Sequence, residues 1–206
     1  MIVTIVILAR DPRTAKTRLR GSLGPTGRER LAAAMLDDVI AASVATRWRV
    51  LVVTDARSIA SRARRAGARG MVVRTRGTRD AARRGVVRAQ REGADAALIL
   101  AADVPLVRAA DLRRIAAVGR RSEIVIVPDR RRSGTNALYL RPPSRISPLF
   151  GQRSLAAHRS AAGAGGRVLA IARLSLDVDT PADLRALRRA KRSAGARTRA
   201  ALDRGD

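Results

Sequence analysis

Short apolar runs that alternate with helical segments constrain the fold of this chain more than any other feature. Residues 2–8 form a near-continuous run rich in β-branched residues, short enough for a strand buried on both faces. Similar runs occupy residues 50–53, 71–73, 96–101 and 124–127. Because strands that alternate with helices are joined by crossover connections, the sequence predicts an α/β fold with a mostly parallel sheet and helices on both faces.

The segments between the runs carry helix signals. Thr26 and Glu29 have the spacing of a capping box, which predicts a helix with Thr26 at its N-cap and Leu31 on its apolar face. Thr180 and Pro181 predict the start of a last helix, with an N-cap threonine and a proline at the first helical position. Other helices are predicted over residues 58–67, 79–91, 111–118 and 155–162.

The last third of the chain departs from this alternation. Residues 137–140 are predicted to pair antiparallel, and residues 168–171 to form a strand. From Arg192 onward the chain is rich in arginine and lacks an apolar stripe, which predicts a mobile tail. We therefore expect a single domain over residues 1–190 and a basic tail over residues 191–206.

Composition narrows the class of protein. A length of 206 residues suits one domain, and the sequence contains no cysteine, which excludes disulfides, thiolate nucleophiles and Cys-ligated metals. No apolar run approaches the roughly 18–20 residues that span a bilayer, and the first residues do not resemble a secretory leader. The expected location is the cytoplasm, without a membrane partner.

A net charge of +26, from 43 Lys+Arg against 17 Asp+Glu, raises the alternative of a nucleic-acid-binding protein. The arginines, however, are spread along the whole chain rather than grouped in one stretch. The aromatic residues are only Trp48, Tyr139 and Phe150, too few for a base-stacking platform. We therefore expect nonspecific attraction of polyanions, which also suits an enzyme with phosphorylated substrates, and no specific nucleic-acid partner.

A basic loop follows the first predicted strand and suits a polyphosphate. Arg10, Arg13, Lys16 and Arg18 lie where ligands bind in such sheets, at the carboxyl end of a strand. The loop lacks the glycines of a Walker or dinucleotide motif, so it would hold phosphates through side-chain charge. Lys16 is one of only two lysines in the chain, which favours a function over chance placement.

Three carboxylates are candidate metal ligands. Asp103 ends a buried apolar run, where an unpaired carboxylate would be costly to bury. Asp177 and Asp179 are two apart, so on an extended segment they share one face. Hard oxygen ligands of this kind suit Mg²⁺, which binds one or two carboxylates and takes its other ligands from water and phosphate. The alternatives are that Asp103 caps a turn and that Asp179 merely precedes a helix cap.

Two further segments are candidates for binding an anion. The stretch Gly134-Thr135-Asn136-Ala137 suits either a site or a hairpin turn. Gly151 and Ser154 precede a predicted helix, whose backbone N–H groups and positive dipole end attract anions. His158 shares a helix face with Ser154, and its role, structural or functional, stays open.

Five segments taken in order resemble the 2-phospholactate/phosphoenolpyruvate guanylyltransferase family of deazaflavin coenzyme F-420 biosynthesis. The resemblance covers residues 2–187. The segments are Ala15-Lys16-Thr17-Arg18-Leu19, Ala102-Asp103-Val104-Pro105-Leu106, Pro128-Asp129 with Gly134-Thr135-Asn136-Ala137-Leu138, Phe150-Gly151 with Ser154 and His158, and Leu176-Asp177-Val178-Asp179-Thr180-Pro181-Ala182-Asp183-Leu184. The chain departs from the family pattern in two segments, with Asp80 in place of asparagine and Arg20-Gly21 in place of Ala-Pro.

The resemblance implies a nucleotide-diphospho-sugar transferase fold of the glycosyltransferase-A type. It also implies binding roles for three groups of residues. They are Thr135, Gly151 and Ser154 for a phosphorylated three-carbon acid, Asp103, Asp177 and Asp179 for Mg²⁺, and Arg10, Lys16, Arg18 and Asp80 for the nucleotide. Lys16, Arg18 and Asp103 are the residues expected to act in catalysis.

The expected reaction is attack of a phosphate oxygen of phosphoenolpyruvate on the α-phosphorus of GTP, with release of pyrophosphate. Such chemistry needs positioning and charge neutralisation rather than a covalent nucleophile. The same site could serve 2-phospholactate, 3-phosphoglycerate or another acceptor, and the alternative of a different class remains the nucleic-acid-binding protein. The resemblance leaves room for a hand-over of the product to the next enzyme of the pathway.

Overall fold

The computed structural model describes residues 1–74 and 77–204. In this part of the chain seven strands form one sheet. They are β1 (Val3–Leu8), β2 (Arg49–Thr54), β3 (Arg69–Val72), β4 (Ala96–Ala101), β5 (Ile124–Pro128), β6 (Thr135–Leu140) and β7 (Gly166–Val168). The described helices are α1 (Pro25–Val44), α2 (Arg57–Arg65), α3 (Thr78–Arg91), α4 (Ala109–Ser122), α5 (Ser154–Ala162), α6 (Ala172–Ser175), α7 (Pro181–Arg189) and α8 (Ala196–Asp203).

The strand order is β3-β2-β1-β4-β6-β5-β7. Strand β1 pairs in parallel with β2 and β4, and the β2–β3 and β5–β7 pairs are also parallel. Strand β6 runs antiparallel between β4 and β5, with Ala137 opposite Leu100. The start of β6 therefore lies at the edge where β1 and β4 end. The predictions of a mostly parallel sheet and of an antiparallel segment near residues 137–140 are confirmed.

Both faces of the sheet are covered by helices, as predicted. Successive strand side chains point to opposite faces. Ile5 and Ile7 belong to the core cluster that includes residues of α1, α2 and α4, whereas Val6 belongs to the cluster of α3 and α5. Close packing depends on glycine at Gly85, where an added Cβ would collide with Val6, and at Gly119, where it would collide with the ring of Tyr139.

A third apolar cluster holds the loops at the carboxyl edge of the sheet. Leu19 from the basic loop and Val178 from the Asp177–Asp179 segment are buried against Met35 of α1 and Leu184 of α7. The short 3-10 helix Thr17–Leu19 and the start of α7 are thereby fixed on the same side of the molecule. This cluster brings two segments that are distant in sequence to one edge.

The start of α1 and the end of β7 differ from the sequence-based expectations. Helix α1 begins at Pro25 with Gly24 as its N-cap, so the predicted Thr26 cap is wrong. Proline at the first helical position has a suitable φ and lacks an N–H that would need a partner, which moves the start two residues earlier. Strand β7 ends at Val168 rather than extending over 168–171, because Ile171 and Leu174 turn inward and are buried in the core.

The tail contains a helix, whereas the sequence predicts a mobile segment. The backbone N–H groups of Arg197 and Thr198 donate to the buried carboxylate of Asp38, at 3.2 and 2.7 Å. Helix α8 therefore packs against α1 through a tertiary cap, which a search for an apolar stripe does not detect. Residues 205–206 of the predicted tail lie outside the described residues. No helix in the described residues is long and apolar enough to cross a membrane.

Candidate active site

A cavity of about 410 Å³ opens at the carboxyl ends of β1 and β4 and the start of β6. Binding sites are expected at this edge of an open α/β sheet. The polar or charged side chains around it come from segments separated by more than a hundred residues. They include those of Arg10, Lys16, Asp103, Thr135, Asn136, Asp177 and Asp179.

Lys16 lies between two of the predicted metal ligands. Its Nζ is 2.7 Å from Oδ1 of Asp179 and also donates to Oδ2 of Asp103. Burial disfavours the ammonium, but the two carboxylates outweigh this effect and raise the pKa of Lys16. Lys16 adopts a left-handed backbone conformation, with φ of 57°, at the start of the 3-10 helix. The lysine is therefore a charged, buried cation at the floor of the cavity.

Asp177 stands in an unfavourable electrostatic setting. Burial, followed by repulsion from Asp103, raises its pKa to about 6, and Asp179 adds to the shift. The amide Nδ2 of Asn136 donates to Oδ1 of Asp177 at 3.2 Å and to the carbonyl of Leu174 at 2.8 Å, which fixes the Asp177 carboxylate. No role was predicted for Asn136, although its position directly after Thr135 in the motif was an available signal.

The segment that carries Asp177 and Asp179 is held by the start of α7. Thr180 caps this helix, and the carboxylate of Asp183 accepts from the Thr180 N–H at 2.9 Å and from its hydroxyl at 2.7 Å. The predicted helix start at Thr180 and Pro181 is confirmed. Burial acts against the Asp183 carboxylate, but its hydrogen bonds with Thr180 prevail and lower its pKa.

The donor set around the cavity fits a divalent cation. Asp103, Asp177 and Asp179 contribute hard carboxylate oxygens, and one ammonium faces them. Burial, and after it repulsion from Asp103 and Asp179, raises the pKa of Asp177, and a cation would offset the excess negative charge behind this repulsion. Within residues 1–74 and 77–204, no three His, Cys, Asp or Glu side chains are gathered closely enough to hold an ion alone. Substrate phosphate oxygens would have to complete the coordination, as is usual for Mg²⁺.

The cations of the basic loop do not all face the cavity. Arg10 lines it and also an adjoining cavity of about 220 Å³ that includes Asp55 and Thr78. Arg13 is turned outward and pairs with Asp11 at 2.8 Å. Arg18 is exposed on the 3-10 helix and is not among the residues that line either cavity.

Asp80 and the segment around α5 lie close to the cavities without lining them. Asp80, in the first turn of α3, pairs with Arg83 and Arg84, each at 3.0 Å. Gly151, with φ of 137°, follows the cavity residue Phe150, and Ser154 is buried at the first position of α5. The structure thus brings Lys16, Thr135 and the three aspartates together and leaves Arg18, Asp80, Gly151 and Ser154 around them.

His158 connects the predicted anion-binding segments. Its Nδ1 is 3.0 Å from Oγ1 of Thr135, and its Nε2 accepts from the backbone N–H of Leu149 at 2.8 Å. The ring packs edge-on against Phe150, with centroids 5.1 Å apart. Burial, together with the charge of Arg79, lowers the pKa of His158 to about 4, so the ring is neutral at pH 7. The sequence placed His158 beside Ser154 but could not indicate this contact across 23 residues.

Relatives with assigned names are similar to this protein over most of its length. A phosphoenolpyruvate guanylyltransferase of Sphaerobacter thermophilus is 36% identical over 179 residues, covering 84% of this chain and 86% of the relative. The protein of the same name from Rubrobacter xylanophilus is 39% identical over 189 residues, covering 89% and 92%.

Solved structures share the fold. A candidate nucleotide-diphospho-sugar transferase from Desulfovibrio desulfuricans G20 superposes with a TM-score of 0.80 at 15% identity, covering 99% of this chain and 95% of that one. The Mycobacterium tuberculosis protein Rv0371c, in complex with manganese, has a TM-score of 0.58 at 23% identity, covering 91% and 98%. The predicted nucleotide-diphospho-sugar transferase fold is confirmed.

The family model that matches the chain spans nearly all of the folded unit. It is described as guanylyl transferase CofC like and matches residues 3–191, which include every residue assigned to the site above. The resemblance detected in the sequence is thereby confirmed, and the chain belongs to the CofC-like guanylyl transferases, a family of nucleotidyltransferases.

Proposed function

We propose that this protein is a phosphoenolpyruvate guanylyltransferase of coenzyme F-420 biosynthesis. It transfers GMP from GTP to a phosphate oxygen of phosphoenolpyruvate and releases pyrophosphate. The observation that carries the proposal is the convergence of Lys16, three carboxylates and Thr135 on one cavity at the carboxyl edge of the sheet. The names of the two relatives support the choice of substrates.

The nucleotide occupies the side of the cavity formed by the basic loop. Arg10 and Lys16 offset the charge of the triphosphate, and Arg18 adds positive charge from the surrounding surface. Asp80, an anion at the start of α3, is assigned to the nucleoside end rather than to the phosphates. The adjoining cavity of about 220 Å³, which shares Arg10 with the main one, offers room for the nucleoside beside the phosphates. We therefore assign it to guanosine.

Asp103, Asp177 and Asp179 hold a divalent cation, Mg²⁺, together with the triphosphate. When bound, the ion supplies positive charge to the α-phosphate and to the departing pyrophosphate. The chain's own part is to keep the carboxylates in place, through Asn136 on Asp177 and the capped start of α7 after Asp179. The manganese complex of Rv0371c is consistent with a metal in this fold.

The acceptor acid occupies the side formed by β6 and α5. Thr135 offers its hydroxyl, and Gly151 and Ser154 add backbone and side-chain donors at the start of α5, where the positive end of the helix dipole favours an anion. Acceptor and nucleotide then meet over Asp103 and Asp177. The catalytic contribution is orientation and charge neutralisation by Lys16 and Asp103 in the cavity and by Arg18 at its margin.

The proposal is tested by pyrophosphate release. Purified protein is incubated with Mg²⁺ and GTP plus phosphoenolpyruvate, 2-phospholactate or 3-phosphoglycerate, and ATP and CTP replace GTP as controls. Release that requires phosphoenolpyruvate and GTP supports the proposal. Release with another acid alone would reassign the acceptor, and no release from folded protein with any pair would refute the reaction.

Metal identity and cellular setting belong to the same proposal. Chelation should abolish pyrophosphate release, and addition of Mg²⁺ should restore it. We propose that the protein acts in the cytoplasm, with GTP and a phosphorylated three-carbon acid as partners. It binds no specific nucleic acid, and it hands its product to the next enzyme of the pathway.

A further inference from the structure

His158 is the single histidine of the chain and is fully buried. It joins three parts of the acceptor side: the first residue of β6, the backbone at Leu149 and the ring of Phe150. Thr135 and Phe150 both line the main cavity, whereas His158 does not. The histidine therefore lies directly behind the cavity wall.

The contacts of His158 define its protonation. A backbone N–H can only donate, so the bond from Leu149 requires an unprotonated Nε2. In a neutral ring the proton is then on Nδ1, which donates to Oγ1 of Thr135. A charged ring would place an Nε2–H against the Leu149 N–H and lose this bond.

This arrangement sets the direction of the Thr135 hydroxyl. Because Oγ1 accepts from His158, its own proton is available to donate elsewhere. Threonine is β-branched and has few χ1 states, so a single hydrogen bond suffices to select one. Thr135 lines the cavity and is only 7% exposed, which leaves the cavity as the direction open to that donor.

We propose that His158 is a positioning residue that presents the Thr135 hydroxyl as a donor to an anionic oxygen of the acceptor acid. The proposal rests on the function proposed above for Thr135. His158 itself touches neither substrate; it acts through Thr135, while its bond to Leu149 and its contact with Phe150 keep the adjoining wall in place. The expected effect is larger on the acceptor, because the hydrogen bonds and the ring contact of His158 all involve acceptor-side residues, whereas Arg79 of α3 acts on the ring only through its charge.

Two amide variants separate the two ring nitrogens. In His158→Asn the amide can occupy the place of Nδ1 and still donate to Thr135. In His158→Gln the longer amide reaches the place of Nε2 and keeps the bond to Leu149 instead. We expect His158→Gln to raise the KM for phosphoenolpyruvate about tenfold, with the KM for GTP within about twofold, and His158→Asn to lie closer to the parent.

Two outcomes would contradict the predicted difference between the effects on the KM for phosphoenolpyruvate and on the KM for GTP. Equal changes in both KM values, or a larger acceptor effect in His158→Asn than in His158→Gln, would contradict a role through Thr135. A second variant pair tests the coupling directly: Thr135→Val should raise the KM for phosphoenolpyruvate, and adding His158→Gln to it should change little more. If the factors by which the two substitutions raise this KM multiply in the double variant, the two residues act independently.

A spectroscopic test does not depend on turnover. Since the chain has one histidine, a long-range ¹H–¹⁵N spectrum contains one set of imidazole signals. At pH 7 we expect a neutral ring protonated on Nδ1, and a shift of these signals when phosphoenolpyruvate is added without GTP. The shift should be lost in Thr135→Val.

The spectra distinguish the two proposals. A ring protonated on Nε2, or no response to phosphoenolpyruvate in a protein that does turn it over, would overturn the role of His158. An Nδ1-protonated ring that responds to phosphoenolpyruvate, in a protein that releases no pyrophosphate, would refute the reaction and leave the positioning role standing.

Discussion

At the scale of single residues, the cavity is held together by opposed charges. Lys16 forms ion pairs with both Asp103 and Asp179, while Asp177 carries a carboxylate that burial and its acidic neighbours disfavour. Stability and function therefore make different demands on Asp177. A buried, repelled charge destabilises a fold, yet the same charge attracts a cation.

Asp177→Asn should separate these demands. We expect pyrophosphate release to fall about 10³-fold or more, because a metal ligand is lost. The melting temperature in metal-free buffer should stay the same or rise, because a repelled buried charge is removed. Pyrophosphate release and circular dichroism measure the two effects, and near-parental activity in the folded variant would rule out Asp177 as a ligand.

His158 should make stability depend on pH in a defined window. Its folded pKa of about 4 lies below its ordinary value of 6.5, so folding favours the neutral ring. This contribution is complete above pH 6.5 and is lost as the pH falls through about 4, with a full size of about 3 kcal/mol. Urea unfolding of the parent and of His158→Gln between pH 7 and 4 measures it. An equal pH slope in both proteins would contradict the assignment.

The sequence predicts which residues gather at the site better than it predicts their contacts. Asp103 and Lys16 each follow a buried apolar run, and the ends of parallel strands meet at one edge, so their proximity follows from pattern. The ion pair between Lys16 and Asp179 spans 163 positions and depends on a left-handed backbone at a lysine. Neither condition leaves a local signal. The hydrogen bond between Thr135 and His158, which are 23 positions apart, likewise leaves no local signal in the sequence.

At the scale of elements, local patterns locate strands and helices well and their ends less well. Strands β1 and β4 lie where apolar runs predict them, because burial on both faces demands continuous apolar sequence. Helix α1 begins at Pro25 rather than after Thr26, since two start signals overlap and proline prevails. Helix α8 lacks a stripe and is stabilised from outside by Asp38.

Asp38→Ala should release α8. The substitution leaves the N–H groups of Arg197 and Thr198 without their acceptor, at an expected cost of about 1–3 kcal/mol. We expect limited trypsin digestion to cut after Arg197 and Arg199 far faster than in the parent, as followed by mass spectrometry. Asp95→Ala, at an exposed site at the amino end of β4, is the matched control. Equal cleavage of all three proteins would show that Asp38 does not hold the helix.

At the scale of the whole molecule, the charge of +26 acts on every polyanion, substrate or not. The cavity concentrates a few cations beside carboxylates, whereas most arginines are spread over the surface. Nonspecific attraction and substrate binding should therefore respond differently to salt.

Salt should distinguish the two kinds of binding. We expect the affinity for a short single-stranded oligonucleotide to fall by about 10³-fold or more between about 50 and 200 mM salt, because counterion release drives it. Pyrophosphate release from GTP and phosphoenolpyruvate should change far less over the same range. Fluorescence anisotropy and the release assay measure the two. Tight oligonucleotide binding that persists at the higher salt would favour a nucleic-acid partner.

Strand β6 runs opposite to β4, and the residues assigned to the acceptor begin with this strand rather than with the segments assigned to the nucleotide. The residues assigned to the acceptor, from Thr135 to His158, form one continuous stretch that enters the sheet from the opposite direction. Those assigned to the nucleotide come from the basic loop and from α3, which precede it, whereas Asp177 and Asp179, assigned to the metal, follow it. Acceptor choice can thus be altered within a single stretch of about two dozen residues without changing the residues assigned to the nucleotide, and this stretch is the unit to graft when a variant with a different acceptor is sought.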